Sequence, residues 1–364
     1  MKILDKRYFF YFDWLSLGLT LAISTIGLLF VYSATTTETT PYSIFFKKQL
    51  FGVLSGFLIY SYFCLQDYRR FHRAGFFAYF AVIFLLLFTL FKGKIGMGAQ
   101  RWIDLRLFKF QPSEVAKLFF PAFLTYFLYT ENDVPVYRVN QFFPILGVLF
   151  ISSLLILKQP DLGTAIIFLS SGLIMLWLAG IGTKFFRWGL FLFLLSTPIG
   201  WKILKPYQKQ RIMVFLGAGQ ERKERYHIEQ SKIAIGSGGL YGKGFTKGTQ
   251  NKLLFLPESR TDFIFSVLCE EWGFIGALIL LLLYILLFIN TLIRIAQVPA
   301  FFARLLATGL LLHIMLATLI NIGMVCGLMP VVGIPLPLVS YGVSSLWITF
   351  SSLGWIQGIT THRF

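Results

Sequence analysis

Phe255-Leu-Pro-Glu258-Ser-Arg260-Thr-Asp262-Phe-Ile-Phe265 is where a basic, glycine-rich stretch that begins at Tyr226 returns to hydrocarbon-like sequence. Most of the chain on either side is apolar. Of 364 residues, 56% are hydrophobic and only 13% are charged, and the mean hydropathy is +0.72. So few charges cannot cover a soluble surface, and apolar runs recur at the ~17–25 residues that a bilayer requires. These features predict an all-α polytopic integral membrane protein with about ten transmembrane helices. The spans are expected near 14–33, 49–65, 75–91, 113–130, 142–157, 163–180, 185–204, 263–291, 302–327 and 342–358. Residues 1–364 read as a single transmembrane domain, with 205–262 as a large extracytoplasmic loop between spans seven and eight. Tyr11 to Tyr32 is longer than a signal-peptide core and is expected to be a retained span.

The formal charge of +17 cannot reside in the spans, so it crowds into loops. There it meets anionic headgroups, phosphates or acidic partners; nucleic acid is a poor match, because no soluble basic domain would present it. Lys2, Lys6, Arg7, the loop Asp67 to Arg73, Lys184, Arg187, Arg294, Arg304 and Arg363 share one side of a ten-span chain. That side is expected to be cytoplasmic, with both termini on it. The opposite side departs from the positive-inside pattern. Lys92, Lys94, Arg101, Arg106 and Lys109 cluster in one outer loop, and 205–262 holds eleven Lys/Arg against five Asp/Glu. Insertion disfavours such an excess, so it points to an anionic ligand at the outer face, with attraction to outer headgroups as the plainer alternative.

Several motifs could carry chemistry. In Gln111-Pro-Ser-Glu114-Val-Ala-Lys117, Pro112 and Glu114 suit a first helical turn. Lys117 lies a turn deeper in an apolar span, where a charge is costly and faces a partner or cavity. The i,i+3 spacing puts it on the same face as Glu114. Asp161 in Gln159-Pro-Asp161-Leu-Gly-Thr164 is either a helix cap or the holder of a basic group near the outer surface. The loop Gly236 to Gly248 interleaves glycines with Lys243 and Lys247, a pattern that can cradle phosphate. It is not a nucleotide loop, since Ser237 and Gly244 stand where glycine and Ser/Thr are required; a flexible outer loop is the alternative. His72, His227, His313 and His362 are scattered, and Cys64, Cys269 and Cys326 form no pair, so neither a metal set nor a disulfide framework is indicated. From Asn321-Ile-Gly-Met324 through Gly327 to Gly342, repeated Gly and Pro in an apolar outer turn predict a re-entrant segment buried in protein or lining a cavity.

Asp262 opens the eighth span. Its simplest reading is an N-cap, whose helix N-terminus would keep the carboxylate ionised as a general base must be. Glu258 and Arg260 converge on the same membrane edge.

Taken together these blocks resemble the SEDS family (shape, elongation, division and sporulation). They are Gly98-Ala-Gln-Arg101-Trp102-Ile, Phe110 to Glu114 with Lys117, Gln159 to Thr164, Tyr226-His-Ile, Gln230 to Leu240, Gly242-Lys-Gly, Gly248-Thr-Gln, Phe255 to Glu258, Thr261 to Phe265, and Pro330 to Gly342. The ending Thr360-Thr-His-Arg resembles the elongation branch. Gly219 to Arg225 is more charged than the family pattern, and Tyr341-Gly-Val lacks a second glycine. The resemblance implies a ten-span peptidoglycan glycosyltransferase that polymerises lipid II beside a class B penicillin-binding protein, in the bacterial cytoplasmic membrane. It further implies that Asp262 is the essential carboxylate and that Glu114, Lys117 and Asp161 are functionally sensitive.

The expected reaction joins a polyprenyl-pyrophosphate-linked glycan to the 4-hydroxyl of lipid II with inversion, Asp262 acting as base. Arg101, Arg211, Lys117, Lys232 and Lys243 are the candidate cations for the leaving pyrophosphate, with Glu114, Asp161 and Glu258 also in the substrate site. These residues fix no cofactor, and whether a divalent cation (Mg or Mn) takes part stays open at this point. Membrane lipids and lipid II are the expected partners, and no nucleic acid is. The rival expectation is a flippase for the lipid-linked precursor, which intramembrane Lys117 and the broken outer turn would also suit. A non-catalytic scaffold for the penicillin-binding protein is a third, but it leaves so costly a charge as Lys117 unexplained.

Overall fold

The computed structural model describes residues 11–36, 41–96, 99–104, 109–128, 139–204, 206–215, 222–253, 255–256 and 258–361. The expectations placed on Lys2, Lys6, Arg7, Gly98, Arg106, Gly219 to Glu221, His362 and Arg363 lie outside these residues.

Each of the ten expected spans coincides with a helix: Trp14–Thr35 (α1), Ile44–Leu65 (α2), Tyr68–Lys92 (α3), Pro112–Phe127 (α4), Phe142–Lys158 (α5), Leu162–Leu178 (α6), Thr183–Ile203 (α7), then Ile264–Ala296 (α11), Phe301–Val325 (α12) and Val343–Thr361 (α13). Helix is the necessary answer to an apolar run in lipid, because every peptide group must be satisfied within the segment. By length and composition α1, α2, α3, α11 and α12 can cross a membrane, and α5 and α6 are shorter apolar helices. Short polar side chains start the early helices. Asp13 accepts from the Ser16 amide at 3.2 Å, Ser43 from the Phe46 amide at 3.1 Å, and Asp67 from the Arg69 amide at 2.9 Å. The Asp67 cap starts α3 at Tyr68, earlier than its apolar run alone indicated.

Two regions expected to be bare loops are structured. The loop after α3 forms a small antiparallel sheet of Lys94–Gly96 (β1), Ala99–Asp104 (β2) and Lys109–Phe110 (β3), with Lys94 opposite Trp102 and Ile103 opposite Phe110. Within 205–262 lie Pro206–Phe215 (α8), Arg222–Ser237 (α9) and Thr249–Lys252 (α10).

Small residues let the membrane helices approach closely. On α2, a Cβ at Gly56 would lie 2.4 Å from the Phe350 ring of α13, and in return one at Gly354 would lie 2.4 Å from the Tyr60 carbonyl.

Helix α11 is interrupted at Gly273, whose φ of 66° and ψ of −162° leave the helical region. The glycine-rich loop replaces the hydrogen bonds that the break removes. The Phe274 amide donates to the Gly239 carbonyl (2.9 Å) and the Ile275 amide to that of Leu240 (3.2 Å). In return, the amides of Lys243 and Gly244 donate to the carbonyls of Glu270 (2.9 Å) and Glu271 (3.0 Å). A helix break buried in this way is tolerated only when its freed groups find such partners.

The segment between α12 and α13 is the hub of the half of the bundle that holds the Asp262 turn. It is non-helical, yet Val332, Ile334, Leu336, Leu338, Val339 and Ser340 are all buried. Helices close on it from several sides. A Cβ at Gly27 of α1 would meet the Leu338 carbonyl at 2.5 Å, and the Tyr284 hydroxyl of α11 donates to the Pro337 carbonyl. Gln49 of α2 grips it twice, donating to the Ser340 carbonyl (3.0 Å) and accepting from the Gly342 amide (3.2 Å). Irregular backbone at membrane depth survives when it is buried in protein, and this segment meets that condition.

Candidate active site

Asp262 sits in a tight turn that leads into α11. Glu258 takes a left-handed φ of 49°, so its carbonyl can accept from the amides of Thr261 (3.1 Å) and Phe263 (3.4 Å). The helix begins at Ile264 with Phe263 as its cap residue, and no side chain caps it. The N-cap expectation for Asp262 is therefore incorrect. Its carboxylate instead turns toward the hub, where a Cβ at Gly333 (φ +71°) would stand 3.4 Å from Oδ2.

That placement changes its acidity. Asp262 is half-buried, and desolvation is the main cause that lifts its pKa from 3.8 to about 6. Glu258 and Asp161 push in the same direction, and Arg101 and Arg211 push against it. The helix terminus was expected to hold it low; burial wins because, among the described residues, no amide donates to the carboxylate. A base with a pKa near 6 is closer to operating pH than an ordinary aspartate and takes a proton more readily.

Asp161 serves both of the roles open to it. Its Oδ1 accepts from the Thr164 amide at 3.2 Å, capping α6, and also pairs with Arg101 Nη1 at 3.2 Å. Its Oδ2 accepts from Gln111 Nε2 at 2.6 Å and from Ser113 Oγ at 3.4 Å. Gln111 precedes α4 but makes no cap bond there; its side chain reaches across to α6 instead. Arg101 is thereby fixed on β2 with its guanidinium 5.8 Å from the Trp102 ring centre, and its Nε is buried without a hydrogen-bond partner among the described residues. Gly163 brings the start of α6 against the hub, where a Cβ would lie 2.8 Å from the Val332 carbonyl.

One turn below, Lys117 Nζ meets Glu114 Oε1 at 2.7 Å, and both side chains are buried. This is the pair that the i,i+3 spacing predicts. It faces a cleft whose other walls include Thr164, His313, Pro335, Pro337 and Thr349. The cleft lies directly under the hub that carries Gly333.

Asp262, Glu258, Arg101, Arg211 and Asp161 thus share one electrostatic neighbourhood, with Glu114 and Lys117 in the adjoining cleft. Lys243 is elsewhere: its Nζ binds Glu270 Oε1 at 2.6 Å and Thr249 Oγ1 at 2.8 Å. Lys232 is exposed on α9, beside Gly327 at the end of α12. Among the described residues, no group of three or more His, Cys, Asp or Glu converges to hold a metal ion.

Sequence reasoning passed over Gln111, Ser113, Gln49, Asn321 and Ser340. The first two stood inside a quoted motif, next to its charged members. Gln49 left only a faint signal, an amide that follows Lys47 and Lys48 at the head of an apolar run and reads there as part of a polar boundary. Asn321 Nδ2 donates to the Asp262 carbonyl (2.9 Å) and to that of Ile334 (2.7 Å).

Comparison with known proteins points one way. The model of the FtsW, RodA and SpoVE family, described as cell cycle proteins, matches residues 13–364. The peptidoglycan glycosyltransferase MrdB of Escherichia coli K12 is 45% identical over 293 residues, which cover 78% of this chain and 77% of that one. Among solved structures, a chain from work on the structural coordination of polymerization and crosslinking by a peptidoglycan synthase complex superposes with a TM-score of 0.82 at 30% identity, covering 97% and 98% of the two chains. The rod shape determining protein RodA of Thermus thermophilus superposes with a TM-score of 0.72 at 28% identity, over the same shares.

Proposed function

The chain belongs to the FtsW, RodA and SpoVE family of cell cycle proteins, and we propose that Asp262 is the general base of its glycosyl transfer. It is a multi-pass membrane protein of the ten-span fold and a peptidoglycan glycosyltransferase for rod-shape elongation. The supporting observation is the meeting, at one outer turn, of a half-buried carboxylate of pKa about 6 with the cations Arg101 and Arg211.

The substrate in this reading is lipid II. Its 4-hydroxyl oxygen attacks the anomeric carbon of a polyprenyl-pyrophosphate-linked glycan from the face opposite the leaving group. The new C–O bond forms as the bond to the phosphate oxygen breaks, and the hydroxyl proton passes to Asp262. Pyrophosphate departs with the bonding electron pair, and Asp262 returns its proton to solvent at the outer face. A single direct displacement inverts the anomeric centre and gives a β-1,4 strand.

Negative charge develops on the leaving pyrophosphate, so fixed cations there lower the barrier. Arg101 is held in place by Asp161, and Arg211 lies within electrostatic reach of the same turn, which makes these two the leading candidates. Lys117 lies deeper, poised for a phosphate that enters the cleft. Lys232 sits at the rim, and Lys243, engaged by Glu270, falls to last place. Mg or Mn, which commonly binds through one or two carboxylates plus substrate phosphates, would have to take most of its ligands from the substrate.

The chemistry is assigned to the outer face of the bacterial cytoplasmic membrane, with both termini in the cytoplasm. A class B penicillin-binding protein is the partner that would crosslink the strand. This reading is supported by the synthase complex that contains a similar chain.

The test is polymerisation of lipid II by purified protein in detergent. Asp262→Asn is expected to lower it by about 10²–10⁴-fold while the protein stays monodisperse, and wild-type rates in that variant would sink the assignment. The buried Glu114–Lys117 pair also suits a flippase for the same precursor. Detergent separates the two, since polymer formed without membrane compartments is not a product of transport.

A further inference from the structure

We propose that Asn321 is the positioning residue that holds Asp262 in register with the Gly333 turn. Asn321 lies on α12, is fully buried, and spends its amide nitrogen on two carbonyls from separate segments, those of Asp262 and Ile334. Both neighbours are acceptors, so the orientation of the amide is forced. Its Oδ1 is buried with no hydrogen-bond partner among the described residues. An acceptor left unsatisfied is a standing cost, which indicates that the residue is present for its donors.

Two further bonds lace the same strips together. Ser340 Oγ donates to the Thr261 carbonyl at 2.5 Å and accepts from the Leu336 amide at 2.8 Å, and the Tyr341 amide donates to the Arg260 carbonyl at 2.9 Å. Three consecutive carbonyls, of residues 260, 261 and 262, are thus received by the hub or by Asn321. The lacing fixes the distance from the Asp262 carboxylate to Gly333 and to the groups that face it: Glu258 in its own turn, Arg101 on β2, Asp161 at the head of α6 and Arg211 on α8. A misplacement of about 1 Å in a catalytic group can cost on the order of 100-fold.

The inference rests on Asp262 being the base. Asn321→Ala should lower kcat for lipid II polymerisation by roughly 10–100-fold, with KM near that of the wild type. Asp262, freer to meet water, should then move its acid limb in the pH–rate profile down by about one unit. Asn321→Ser, which retains one donor, should recover part of both. As a control, Ser152→Ala removes the acceptor of the Tyr79 hydroxyl (2.8 Å) in the other half of the bundle and should move neither kcat nor the limb.

A wild-type kcat and limb in Asn321→Ala would overturn the proposal. So would a lowered kcat with an unmoved limb and no recovery in Asn321→Ser, which would mark a merely structural role. Failure of both Asn321 variants to fold would make it a folding residue and end the proposal too. An active Asp262→Asn removes the premise instead, and is read in a separate protein.

Discussion

Asp262, in the turn that leads into α11, and Glu270, on the short first arm of that helix, lie eight residues apart, and their surroundings are opposite. Glu270 is fully buried and saturated: Oε1 accepts from Lys243 Nζ (2.6 Å), the Thr249 amide (2.8 Å), Thr249 Oγ1 (2.9 Å) and the Gln250 amide (3.1 Å). Its neighbour Glu271 takes Ser33 Oγ at 2.5 Å and the Thr246 amide at 3.0 Å. Asp262 is only half-buried and accepts no hydrogen bond among the described residues, while two like charges press on it. A carboxylate that has consumed its lone pairs holds a loop. One that is desolvated and left without donors is available to take a proton. Local acidity in the sequence does not separate the two; the donors around each carboxylate do.

The contrast can be broken at either end. Asp262→Asn should lower the polymerisation rate by about 10²–10⁴-fold, the general-base contribution, with little change in thermal midpoint. Glu270→Ala should do the reverse, costing about 3–5 kcal/mol of stability because it leaves Lys243 and several amides without their acceptor. A thermal melt in detergent reads that loss, and an unchanged melt with lost activity would place Glu270 in the reaction.

The cations sharpen the same division. Arg101→Ala should cut kcat by about 100-fold, as loss of one charge-stabilising donor does. The pH profile gives a smaller effect without any mutation. The base works deprotonated, so activity should be full above about pH 7 and fall as pH drops through about 6, roughly tenfold for each further unit. Initial rates across that range check it, and a limb near 4 would mean that Asp262 is solvated in the working enzyme. Lys243→Ala should have the smallest effect on catalysis, with polymerisation per folded molecule retained; its cost, about 3 kcal/mol, falls on stability, because the fully buried Glu270 loses its counter-charge.

Much of this was legible in the residues. Ten apolar runs became ten helices, and the Glu114–Lys117 spacing became an ion pair. The Gly and Pro of 327–342 announced a buried irregular segment. What could not be read depended on partners distant in sequence. The glycine loop looked like a phosphate cradle or a flexible tether because its receptors, Glu270 and Glu271, are hidden within a run that reads as membrane. The strands at 94–110 are too short for a period-2 pattern and are stabilised against α3 and α4. Asp262 looked like a cap because it stands one residue too early, and only the left-handed turn at Glu258 shows where the helix starts. Asn321 and Ser340 lay inside quoted blocks, but a donor's purpose is invisible until its acceptor is placed.

The break at Gly273 has a mechanical consequence. An uninterrupted helix of 33 residues would be about 50 Å long, well beyond a hydrocarbon thickness of about 30 Å. Divided at Gly273, the stretch from Phe274 to Ala296 rises about 34 Å and can lean to suit a thinner or thicker bilayer. The Asp262 turn and the arm that follows it need not lean with it, because they are moored to the hub and to the glycine loop. A tilt that matches the stretch after Gly273 to its bilayer is thus separate from the bonds that hold the Asp262 turn against Asn321, Ser340 and Tyr341.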